Sequence, residues 1–135
     1  MRRTFADAYY WIALLNGKDQ GHAAARGIAK TLRGAAIVTT DEVLTKVLAY
    51  FSERGRHLRH VASVFIENIL KDSEIVVRPQ SRASFLASLA FYKARPDKGY
   101  SQTDCVSMIA MREEGMSEIL TRDEHFSQEG FVILL

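Results

Sequence analysis

Short runs of aliphatic and β-branched residues alternate with longer helical patterns along all 135 residues, and this alternation constrains the fold more than any other feature of the chain. It is the pattern of successive βαβ units, which build a parallel sheet with helices on its faces. Candidate strands are Thr4 to Ala6, Ala35 to Thr39, Glu74 to Val77, Glu118 to Thr121 and Phe131 to Leu134. Most are continuous apolar runs, which suits strands covered on both faces. The class read from this pattern is α/β, with a mostly parallel, buried sheet of about five strands.

The intervening segments carry helical periodicity. Leu58, Val61, Ala62, Phe65, Ile66, Ile69 and Leu70 recur at i, i+3, i+4 spacing, and Val43, Leu44, Val47, Leu48 and Phe51 form a stripe on a helix over Asp41 to Ser52. Thr39-Thr40-Asp41-Glu42 offers that helix a capping box, and Gly55 a stop. Further helices are expected around Gln20 to Leu32, Ala83 to Lys93 and Asp104 to Glu113, with a Pro- and Gly-containing loop over Ala94 to Gly99.

At 47% hydrophobic and 25% charged residues the composition is that of one globular domain, which excludes disorder and low complexity. A net charge of +2 is too small for electrostatics alone to define a nucleic-acid or membrane binder. No uncharged run is longer than Ala8 to Gly17, well short of the roughly 18 apolar residues of a membrane helix. Arg2 and Arg3 faintly imitate a signal peptide, but Asp7 interrupts the run that follows and no small-x-small cleavage site appears. A single cysteine, Cys105, inside an apolar helical run, reads as a buried inert thiol in a reducing cytoplasm.

In a parallel α/β sheet the site lies beyond the carboxyl ends of the strands, so acids just after strands carry the most information. Asp7 follows the first apolar run, Asp123 follows Ile119-Leu120-Thr121, and Asp104 opens a helix in Ser101-Gln102-Thr103-Asp104. Taken singly, Asp104 could be a helix cap and Asp123 a turn residue. Together at one edge they would repel one another unless a divalent cation lay between them, and carboxylates without thiolates favour Mg²⁺ or Mn²⁺.

These residues make the chain resemble the PIN domains, the nuclease fold of VapC-like toxins. The matching pieces are Phe5-Ala6-Asp7 with the aromatic-rich helix start behind it, Ser101-Gln102-Thr103-Asp104-Cys105, and Ile119-Leu120-Thr121-Arg122-Asp123-Glu124-His125-Phe126 followed by Gly130-Phe131. The resemblance implies a single three-layer α/β/α domain over residues 1–135, in which Asp7, Asp104 and Asp123 bind Mg²⁺ or Mn²⁺ and cut RNA. It also implies a cognate antitoxin protein as partner, leaves room for a homodimer, and involves no membrane.

One position departs from the pattern. The family usually carries a fourth acid, a glutamate on the helix after the second strand, and Lys46 stands there. The four-position site then has a formal charge of −2 instead of −4, so metal binding should weaken and the chain could be inactive. On a helical wheel Lys46 borders the apolar stripe and is expected beside the acids, whereas Glu42 points away and is read as a cap, with an i,i+4 pair to Lys46. The basic stretch Arg54 to His60 could steer phosphates but reads better as a solvated turn. His125 could be a general acid or base, and reads better as a packing element of the family.

Two function classes follow: a metal-dependent ribonuclease of the toxin type, or a non-catalytic PIN-fold module that binds RNA or antitoxin. A receiver-like signalling domain would need a Lys-Pro near the last strand, and the chain ends Gly130-Phe131-Val132-Ile133-Leu134-Leu135.

Overall fold

A computed structural model describes residues 2–135. The strands are β1 (Arg3–Ala6), β2 (Ala36–Thr40), β3 (Ile75–Arg78), β4 (Glu118–Leu120) and β5 (Val132–Ile133). The helices are α1 (Ala8–Leu15), α2 (His22–Thr31), α3 (Asp41–Phe51), α4 (Arg56–Lys71), α5 (Arg82–Ala94), α6 (Gln102–Glu113) and the single turn α7 (His125–Gln128). Every pairing is parallel, in the order β3-β2-β1-β4-β5.

This order has a functional consequence. The chain winds from β1 through β2 to β3, then crosses back to β4 on the other side of β1. With right-handed crossovers, α1 to α4 cover one face and α5 to α7 the other, giving the expected α/β/α layers. The reversal lies between β1 and β4, and the crevice of a doubly wound sheet opens at the carboxyl end of that pair.

The centre of the sheet is dry. Phe5, Ala6, Val38, Ile119 and Leu120 are wholly buried, and Tyr10, Phe51, Met108, Met111 and Phe126 pack onto them from the helices. Trp11 donates from Nε1 to Thr39 Oγ1 (3.3 Å), which donates to the Ala6 carbonyl (2.8 Å), so α1, β2 and β1 are tied by buried polar groups that satisfy one another. Phe65 of α4 meets the Trp11 ring edge-on, with centroids 5.9 Å apart.

Several expectations need correction. The sheet is covered on both faces only at its centre: Val76 on β3 and Val132 on β5 are about half exposed, because each edge strand has a single neighbour. Leu48 and Leu70 lie at the solvent borders of their stripes. The cap of α3 is Thr40, whose hydroxyl accepts from the Val43 amide at 3.1 Å, so Glu42 takes no part in a capping box. Nor does Glu42 pair with Lys46 among the described residues. Helix α4 begins inside the basic stretch, after Gly55 at φ +97°, a conformation that favours glycine. Arg56, His57, Arg59 and His60 are exposed on its first turns, and Arg54 lies over the Tyr50 ring at 3.8 Å, in keeping with a solvated segment.

Candidate active site

Asp7 leaves the end of β1 as the N-cap residue of α1, but its side chain caps nothing. Its carboxylate turns into the crevice and is nearly inaccessible, at 4% exposure. Thr121, the first residue past β4, donates from Oγ1 to Asp7 Oδ2 at 2.8 Å. The same Oγ1 accepts the Asp123 amide at 3.1 Å. One hydroxyl thus connects the two acids that follow neighbouring strands. The β1–β4 pairing, Ala6 opposite Leu120, brings them there across more than a hundred residues of chain.

Asp104 arrives from the other layer, on the first turn of α6. It forms a full capping box with Ser101: the Ser101 amide donates to Asp104 Oδ2 and the Asp104 amide to Ser101 Oγ, both at 3.0 Å. Capping is therefore a correct account of Asp104 and an incomplete one. Its carboxylate is also buried, at 5% exposure. One ligating atom each from Asp104, Asp123 and His125 lies within 4.8 Å of the others. Asp7 stands outside that tight group, joined to it through Thr121 and by the field between its carboxylate and that of Asp104.

The electrostatics follow from this crowding. Burial pushes the Asp7 pKa above the ordinary carboxylate range and the Asp104 charge pushes the same way. The Thr121 hydroxyl, the Ala8 amide and the Lys46 ammonium oppose the rise. Lys46 is exposed and makes no ion pair with an acid among the described residues, so it acts on Asp7 through the field.

His125 is a packing element and more. Its ring stands edge-on to Tyr100, centroids 5.5 Å apart. Its Nδ1 lies 3.0 Å from Asp123 Oδ1 and 3.8 Å from Asp104 Oδ2, buried, without the alignment of a hydrogen bond to either. The His125 amide meanwhile donates to Asp123 Oδ1 at 2.9 Å. An Asp followed two residues later by His at a strand end was the sequence signal for this contact, because an Asx turn folds the second residue back over the first. Buried carboxylates that repel one another, beside a buried ring nitrogen with no partner, form a donor set that fits a cation.

Cys105, next to Asp104, is buried, and burial raises its thiol to about 11, which leaves it inert.

A five-stranded parallel sheet in this order, with acids gathered at the β1/β4 reversal, is the PIN fold of the VapC structures. Along 130 residues, 95% of each chain, this one is 28% identical to the 23S rRNA-specific endonuclease VapC20 of Mycobacterium tuberculosis, in strains CDC 1551 and H37Rv alike. The crystal structure of VapC20, a Sarcin-Ricin loop cleaving toxin, superposes with a TM-score of 0.81 at 23% identity over 96% of both chains. VapBC2 from Rickettsia felis, bound to a DNA fragment from its promoter, covers 97% of this chain and 96% of its own at a TM-score of 0.68 and 10% identity. FitAcB from Neisseria gonorrhoeae covers 98% and 96% at 0.63 and 11%. No family model matches the sequence.

Proposed function

We propose that this chain is a divalent-metal-dependent endoribonuclease, the toxin half of a toxin–antitoxin pair, acting on structured RNA. The observation that carries the reading is the meeting of Asp104 and Asp123 with Asp7 at the sheet reversal, where no Lys or Arg among the described residues touches the acids. The relatives support the same reading, since VapC20 is an endonuclease of 23S rRNA and a Sarcin-Ricin loop cleaving toxin.

Asp7, Asp104 and Asp123 would hold Mg²⁺ or Mn²⁺, which when bound supplies a Lewis acid and a water of lowered pKa for in-line attack on a phosphodiester. The protein's part is orientation. Thr121 engages Oδ2 of Asp7, the Ser101 amide fixes Oδ2 of Asp104, and the His125 amide fixes Oδ1 of Asp123. Lys46 places a positive charge in the field of Asp7 and lowers metal affinity below that of a site with a fourth carboxylate.

We read residues 1–135 as a single PIN-like domain of the cytoplasm. A cognate antitoxin, with a second copy of the chain as a further candidate, would cover the apolar face of α5, where Leu86, Leu89 and Tyr92 are exposed. No helix among the described residues is long and apolar enough to cross a membrane.

The test is cleavage of a structured ribosomal RNA fragment with Mn²⁺ or Mg²⁺, with chelator, and with Asp104→Asn and Asp123→Asn. Metal-dependent cuts lost in both variants are expected. Binding of the RNA with no cleavage, even after Lys46→Glu, would establish the non-catalytic module instead.

A further inference from the structure

A cavity of about 640 Å³ opens on the same carboxyl edge of the sheet as the acids, displaced toward β2 and β3. It shares two helix starts with the acid site. Thr103 and Gln102 on its wall precede Asp104 on the first turn of α6, and Glu42 lies one turn before Lys46 on α3. Its third side is the start of α5, with Ser81, Arg82 and Phe85.

The walls are fixed to one another by hydrogen bonds. The Gln80 amide donates to Asp41 Oδ2 at 2.9 Å, which ties the segment after β3 to α3. Ser81 and Ser84 form a capping box on α5, and Gln102 Nε2 donates to the Phe85 carbonyl at 3.2 Å, which ties α6 to α5. Three of the lining side chains stand out as free of these bonds. Phe85 presents an exposed ring, Arg82 lies over that ring at 5.4 Å, and the Glu42 carboxylate has neither a hydrogen bond nor an ion pair among the described residues.

An aromatic face backed by a guanidinium, beside a free carboxylate, matches the two ways in which proteins read unpaired bases: stacking, and hydrogen bonds to the base edge. We propose that this cavity is a specificity subsite for one unpaired guanine of the RNA, next to the phosphate cut at the acids. Phe85 and Arg82 stack on the base, and Glu42 accepts from its N1–H and N2–H₂, the edge that offers two donors side by side. The subsite rests on the ribonuclease reading, and it accounts for why Glu42 lines a cavity without capping its helix.

The test uses fluorescein-labelled RNA hexamers that differ at one position, guanosine, inosine or adenosine, titrated with the intact protein in Ca²⁺ and followed by anisotropy. The variants are Phe85→Ala and Glu42→Gln, both at partly or fully exposed positions, with thermal unfolding as a check of folding. The guanosine hexamer should bind the native protein best, Phe85→Ala should weaken all three about tenfold, and Glu42→Gln should erase the preference for guanosine. Tight RNA binding that neither variant alters, with no preference among the hexamers, overturns the subsite and leaves the ribonuclease reading standing. Loss of Mn²⁺ affinity in Glu42→Gln would assign Glu42 to the metal site and also overturn it. A change of oligomeric state in Phe85→Ala, with RNA binding unchanged, would assign the ring to a protein interface. A native protein that neither binds nor cuts RNA refutes both.

Discussion

Thr121 Oγ1 donates to Asp7 Oδ2 at 2.8 Å, and both side chains are buried. This contact joins the residues that follow β1 and β4 and sets the orientation of the most buried acid in the crevice. Thr121→Val keeps the shape and removes the donor, so it should destabilise the metal-free protein by about 1–3 kcal/mol, the cost of an unsatisfied buried polar group. Thr121→Ser should restore most of the loss. Urea denaturation of the three proteins measures it.

Lys46 places a positive charge in the field of Asp7. In Lys46→Glu, Mn²⁺ affinity by calorimetry should rise on the order of tenfold, and cleavage with it, since two units of charge change beside the acids. Stability without metal should fall, because the new carboxylate adds to the repulsion. Equal affinity and equal cleavage in both proteins would put Lys46 outside the site.

Glu129 is the hub of a separate charged cluster. It accepts from Arg95 at 3.0 and 3.2 Å, from Arg112 at 2.8 Å and from the Tyr100 hydroxyl at 2.9 Å, with its side chain 7% exposed. Arg95 above all, then Tyr100, holds its pKa below the usual carboxylate range against the effect of burial. A depressed acid contributes stability above its unfolded pKa, and that contribution is lost as pH falls through the folded value. Unfolding followed from neutral pH into the acid range should show this loss. Glu129→Gln should flatten that part of the profile, and Glu129→Ala should cost about 1–3 kcal/mol at pH 7 by stranding the buried Tyr100 hydroxyl.

His125 Nδ1 stands between Asp104 and Asp123. His125→Ala should therefore reduce cleavage and alter Mn²⁺ affinity, whereas a purely packing role would lower only thermal stability. His125→Phe separates the two: it keeps a ring against Tyr100 and removes the nitrogen, so stability should hold while metal affinity changes.

Local order was legible in the sequence because its causes are local. Apolar runs marked all five strands to within a residue at each end, β-branched runs such as Ile37-Val38-Thr39 marked the centre of the sheet, and Ser101 three residues before Asp104 marked a capping box that is present. Acids after strands could be collected as candidates on the same footing. What the sequence could not determine is which strand lies beside which. Only the crossing back of the chain from β3 to β4 makes β1 and β4 neighbours, and so sets Thr121 against Asp7 and His125 between two carboxylates. The helical wheel, built on α3 alone, turned Glu42 away and Lys46 toward the acids without knowing what stands opposite. The start of α5 lies across from Glu42 and makes it a cavity wall, whereas Lys46 reaches Asp7 only through the field. Side-chain period is a property of a single element, while the partner of each face is decided by packing among elements far apart in the chain.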